Sequence, residues 1–95
     1  MKSKNPVDRI RDLLPSLPES DIGLAKKFLD SRDFESLQLL VDSSIVRVIR
    51  GRARVNVKEE YLKANLEDMR SLKSEVDSYY IFLESLYENQ ESNMY

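Results

Sequence analysis

The chain is 95 residues long, 34% charged and 41% apolar, with a net charge of −2, a balance that fits one small folded domain rather than a disordered segment. It contains no Cys and no His, which excludes disulfides, thiol chemistry, zinc-finger sites and an imidazole general base. No apolar run approaches the roughly 18 residues of a membrane span, and no signal-peptide core follows Met1–Pro6, so an intracellular or particle-bound chain is expected.

Two glycines and three prolines favour long helices over a turn-rich β-fold. The first helix starts at Asn5, a capping residue, with Pro6 at the first helical position and Asp8 in the first turn. Val7, Ile10, Leu13 and Leu14 then recur at helical spacing. Leu14-Pro15-Ser16-Leu17-Pro18 predicts a non-helical corner, because each proline biases its predecessor toward extended geometry. A second short helix follows, with Glu19-Ser20-Asp21 as its cap and Ile22, Leu24, Ala25, Phe28 and Leu29 as its apolar set. Gly23 inside it costs about 1 kcal/mol relative to Ala, so this helix depends on tertiary packing.

Ser31-Arg32-Asp33 ends that helix, and Ser31 or Asp33 can cap the next. Phe34, Leu37, Leu40, Val41, Ile45, Val48 and Ile49 predict a third helix from Phe34 to about Arg50. The β-branched residues of 45–57 also fit a hairpin. Helix then loop is preferred, because an isolated two-stranded hairpin is marginal and the chain offers no third strand. Leu62, Leu66, Met69, Leu72, Val76, Tyr79, Leu83 and Leu86 step by four and three, predicting one continuous last helix from Glu59 to about Asn89, starting between Val57 and Leu62. The expected fold is all-α: two short N-terminal helices packed on an antiparallel helical hairpin with a long C-terminal helix. It forms one domain over 1–95, with residues 1–5 and 90–95 as flexible ends.

Charge is uneven along this framework. Residues 47–58 carry Arg47, Arg50, Arg52, Arg54 and Lys58 with no acid, whereas Ser74 to Tyr95 carry five acids and no base. Arg47, Arg50, Arg52 and Arg54 bracket Gly51 at the expected end of the third helix. Guanidinium groups there can grip phosphates or a carboxylate-rich protein. They also offset the helix dipole and the acidic last helix. A pI of about 5.2 favours an acidic protein surface over nucleic acid.

Tyr79-Tyr80-Ile81-Phe82-Leu83 place amphipathic or apolar groups all round the last helix, and Leu86 and Tyr87 extend them. One hairpin partner does not cover such a girdle. Tyr79, Tyr80, Phe82, Leu86 and Tyr87 are therefore candidate partner-binding residues, unless the two short helices cover them and leave only the hydroxyls in water. Glu84 and Glu88, one turn apart, read as a solvated acidic face, since carboxylate metal sites in bundles recruit ligands from several helices. No catalytic residue, cofactor site or metal site is expected, and no phosphate-binding or Ca²⁺ loop is present.

The stretch Leu17-Pro18 … Asp21 … Leu24-Ala25-Lys26-Lys27-Phe28-Leu29 … Arg32-Asp33-Phe34-Glu35-Ser36-Leu37 … Leu40-Val41-Asp42-Ser43, with Lys58-Glu59-Glu60-Tyr61 and Leu72-Lys73-Ser74-Glu75-Val76-Asp77-Ser78-Tyr79-Tyr80, resembles a small protein of crAss-like tailed bacteriophages. The resemblance implies an accessory or capsid-decorating component of the virion, located in the virion or in the cytoplasm of the bacterial host. It carries over no site residues. The expected function is that of a non-enzymatic structural or interaction protein that docks on a larger assembly such as capsid proteins, or self-associates. The alternative is a small regulatory or nucleic-acid-associated protein acting through Arg47–Arg54. No membrane partner is expected.

Overall fold

A computed structural model describes residues 5–93, with side chains through Glu88. It contains five α-helices and, among the described residues, no strand. The helices are α1 (Pro6–Leu13), α2 (Glu19–Asp30), α3 (Phe34–Arg52), α4 (Glu59–Lys63) and α5 (Leu66–Asn93). The expectation of flexible ends at 1–5 and 90–95 lies largely outside the described residues, although Asn5 is in place as a cap.

Local chemistry sets most boundaries. Asn5 Oδ1 accepts the Asp8 N–H at 2.9 Å, with Pro6 at the first helical position, satisfying a donor that the first turn would leave orphaned. The corner expected to be non-helical is instead a single 3-10 turn over Leu14–Ser16. Pro15 fits there because it occupies an early position, where no N–H is required. At the start of α2 the expected side-chain cap is absent: Pro18 holds the cap position, and the Ser20 N–H donates 3.1 Å to Glu60 Oε2 of α4.

α2 ends in a Schellman motif, with Asp33 N–H donating to Phe28 O at 2.9 Å and Arg32 N–H to Leu29 O at 3.1 Å. Arg32 occupies the left-handed position of that motif with φ 59°. Asp33 then caps α3 by accepting the Ser36 N–H at 3.1 Å. The β-branched run at 45–49 is helical, and α3 continues to Arg52. Val41, Ser44 and Val48 are fully buried at helical spacing, so tertiary packing overrides the modest cost of branched residues in a helix.

The continuous last helix is corrected by the structure. α4 stops at Lys63, Ala64 is extended (ψ 142°), and α5 begins at Leu66. Asn65 makes the break: its N–H donates 2.9 Å to Ser16 O, and its Oδ1 accepts the Asp68 N–H at 3.1 Å. Leu62, expected in the core stripe, is 62% exposed because it belongs to the separate short helix.

α3 and α5 pack antiparallel. Phe34 meets Tyr79 edge-on at 4.8 Å between ring centroids, Gln38 donates to Asp77 at 2.7 Å, and Lys73 pairs with Asp42 at 2.7 Å. α1 lies on α5 as well, with Arg9 to Glu75 at 3.1 Å. Ile10, Leu14, Leu29, Leu37, Val41, Val48, Met69, Leu72 and Val76 form one buried core, each such side chain contributing about 1.5–3 kcal/mol by leaving water.

Candidate functional site

The arginine cluster divides into two pairs. Arg47 is drawn into the fold: its Nη2 lies 2.9 Å from Asp21 Oδ2 and 3.2 Å from Ser44 Oγ. Ser44 also donates to Asp21 at 2.9 Å, so Asp21, buried on α2, is bonded twice to α3. Arg52 is a staple. Its Nε donates 2.9 Å to Tyr61 O and its Nη2 donates 2.6 Å to Ala64 O, holding the carbonyl end of α4 against the end of α3.

Arg50 and Arg54 are exposed and make no ion pair with any described residue. They open onto a groove of about 240 Å³ that also involves Lys58, Asn56 and the ring of Tyr61, and none of its lining residues is acidic. Lys58 Nζ stands 5.7 Å from the Tyr61 ring centroid, within cation–π range. Buried Gly51 forms the wall behind that ring. Glu60 stands nearby and feels the charges of Lys58 and Arg47, but its carboxylate accepts from Ser20. That hydrogen bond, ahead of the two cations, holds it below the usual carboxylate range.

The aromatic girdle lies at the other end of α3. Tyr79 is half-buried against Phe34, with Phe82 stacked on it at 6.1 Å. Leu83 and Tyr80 are half-buried, whereas Phe82 is 53%, Leu86 44% and Tyr87 64% exposed. Leu72, Val76, Tyr79, Leu83, Leu86 and Tyr87 continue one helical stripe. It loses cover where α3 begins at Phe34 and α1 at Pro6, so the core-facing seam of α5 runs off the bundle. Ile81, 63% exposed, points away from this seam.

Beside the seam is a cleft of about 370 Å³ lined by Tyr80, Tyr87, Glu84 and Glu88 of α5 together with Asp33 and Glu35 at the start of α3; Arg32 is its one cation. Glu35 in the first place, then desolvation and Glu84, pushes the Tyr80 phenol above its ordinary range. Among the described residues no group of three or more acidic side chains is placed to hold a metal ion, and no helix is long and apolar enough to cross a membrane.

Sequence reasoning singled out Arg50, Arg54, Phe82, Leu86 and Tyr87, which the structure places on the surface. It missed Asn56 and Tyr61 in the groove and Glu35 in the cleft, and counted Lys58 only as charge. The legible signal for Tyr61 was an aromatic residue ten positions after the glycine it covers. Comparison of the chain with known protein families, characterised proteins and solved structures gave no match.

Proposed function

We propose that the chain is a non-enzymatic helical interaction protein that docks on a larger protein assembly through the exposed seam of α5. The observation that carries this reading is the continuity of the stripe. The phase that buries Leu72 and Val76 leads into Leu86 and Tyr87, which remain wet beside Phe82. Exposed apolar surface of this kind marks interaction sites, and aromatic anchors dominate binding energy where they are desolvated. The sequence resemblance supports a bacteriophage virion as that assembly, with the chain in a capsid-decorating or auxiliary role.

A nucleic-acid-associated role is favoured by one observation, the three unpaired cations Arg50, Arg54 and Lys58 around one aromatic ring. Against it stand the pI of about 5.2 and the internal bonds of Arg47 and Arg52, which leave a short basic patch instead of a track along a backbone.

The test is co-purification and crosslinking from the cells that make the chain, comparing the native sequence with Phe82→Ser/Tyr87→Ser. Docking predicts native-like helicity and melting for the variant, with its crosslinks to protein lost. Unfolding of the variant would instead make the seam ordinary core, and unchanged crosslinks would place the contact elsewhere.

A further inference from the structure

The two incomplete surfaces lie at opposite ends of α3, whose 19 residues span about 28 Å at 1.5 Å per residue. One end is a cationic groove without an acidic lining residue. The other is an apolar tip flanked by Glu35, Glu84 and Glu88, none of which forms an ion pair with a described residue. Arg9 pairs with Glu75, Arg11 with Asp30, Arg47 with Asp21, Lys63 with Glu59, and Lys73 with Asp42 and Asp77, whereas Lys26, Lys27 and Arg70 form no ion pair with a described residue. What sets the two ends of α3 apart is that their unpaired charges, opposite in sign, stand beside open apolar or aromatic surface.

We infer that this chain associates with a second copy of itself head to tail, the α5 tip of one copy seated in the Arg50–Arg54–Lys58 groove of the next. This rests on the docking role of the α5 seam and names its partner. The groove, at about 240 Å³, is below the roughly 300–1,000 Å³ of small-molecule sites and suits a single large side chain. Tyr87, which shares a face of α5 with Glu84 and Glu88, enters it and packs on the Tyr61 ring. Glu84 and Glu88, one turn apart on the same tip, then face Arg50 and Arg54. The complementary potentials fix the polarity of the contact. Tip against tip instead juxtaposes carboxylates, and groove against groove juxtaposes guanidinium groups. Because the two patches differ, the contact is heterologous and repeats into a ring or an open filament.

The experiment measures mass in solution over a concentration series for the full chain, for Arg50→Gln/Arg54→Gln, which breaks only the groove, and for Leu86→Ser/Tyr87→Ser, which breaks only the tip. Circular dichroism confirms that each variant keeps its helicity. The native chain is expected to grow with concentration and to disperse at about 1 M salt, where the Debye length falls to about 3 Å. Each variant alone is expected to need at least about tenfold higher concentration to associate. An equimolar mixture is expected to form a 1:1 dimer that grows no further, because it retains one intact tip and one intact groove.

Self-association of the groove variant at the native level would overturn the inference in favour of a tip-to-tip dimer. A native chain that stays monomeric would also overturn it. If that monomer still crosslinks to another protein through Phe82 and Tyr87, the docking role survives. If its groove instead retains single-stranded DNA, and Arg50→Gln/Arg54→Gln releases it, the nucleic-acid reading replaces both.

Discussion

The ring of Tyr61 occupies the space a side chain on Gly51 would need: a Cβ at residue 51 would overlap Tyr61 Cδ2 and come within 2.6 Å of Cε2. Gly51 lies inside α3, where helix propensity alone favours alanine by about 1 kcal/mol. The close approach reverses that sign. Gly51→Ala is expected to destabilise by about 1–3 kcal/mol, the range for overpacking, and to loosen α4. Chemical denaturation gives the first quantity, and faster amide exchange over residues 59–64 reports the second. A stabilised variant would show that the ring swings aside freely.

Gly23 is the control. It sits inside α2 with nothing within 4 Å of where its Cβ would be. Gly23→Ala is therefore expected to stabilise by about 0.5–1 kcal/mol, through helix propensity and lost unfolded-state freedom. The opposite response of two helical glycines to one substitution, read from the denaturation midpoint, isolates the Tyr61 contact as the cause.

Asp21 and Arg47 tie α2 to α3. Asp21 is 7% exposed and bonded to both Arg47 and Ser44. Removing one partner of a buried, hydrogen-bonded charge typically costs about 3–5 kcal/mol, and partial exposure of the Arg47 side chain, 38%, lowers that here to roughly 2–3 kcal/mol. Arg47→Met is expected to show this loss in urea melts, whereas Arg50→Met, with no internal partner, is expected to change stability by less than about 0.5 kcal/mol. Equal losses would mean that the arginines are interchangeable.

These contrasts mark what local sequence reveals. Asn5-Pro6 and Asp33 act within three residues of themselves, and their caps are legible because the chemistry is local. The break at Ala64-Asn65 was not: Leu62, Leu66 and Met69 keep helical spacing straight across it, and Asn65 is held out of the helix by Ser16, 49 residues earlier. Asn65 and Asp68 did carry a capping signal, masked by the apolar period. Glu60 capping α2 from α4 is invisible without the fold. The same holds at the surface, where the positive segment at 47–58 is plain in the sequence. Which arginines stay free depends on Asp21 and on the carbonyls of Tyr61 and Ala64, all supplied by other elements.

The ionisation of Glu60 and Lys73 predicts opposite limbs of a stability–pH profile. Glu60 is depressed chiefly by its hydrogen bond to Ser20. Its contribution is present above the unfolded carboxyl value of about 4.3 and is lost as pH falls through the lower folded value. Lys73 is raised by its hydrogen bonds to Asp42 and then Asp77. Its contribution is complete below the unfolded lysine value of about 10.4 and is lost as pH rises through the higher folded one. Melting temperature measured from about pH 2 to 12 should therefore fall at both ends. Glu60→Gln is expected to flatten part of the acid limb and leave the alkaline limb unchanged, and Lys73→Met to flatten part of the alkaline limb. An acid limb identical in Glu60→Gln and the native chain would show that the carboxylate does not hold the start of α2. The same profile in Ser20→Pro, which removes both the hydroxyl and the N–H of residue 20 that hold Glu60 down, should lose the same part of the acid limb, because the shift belongs to the pair and not to Glu60 alone.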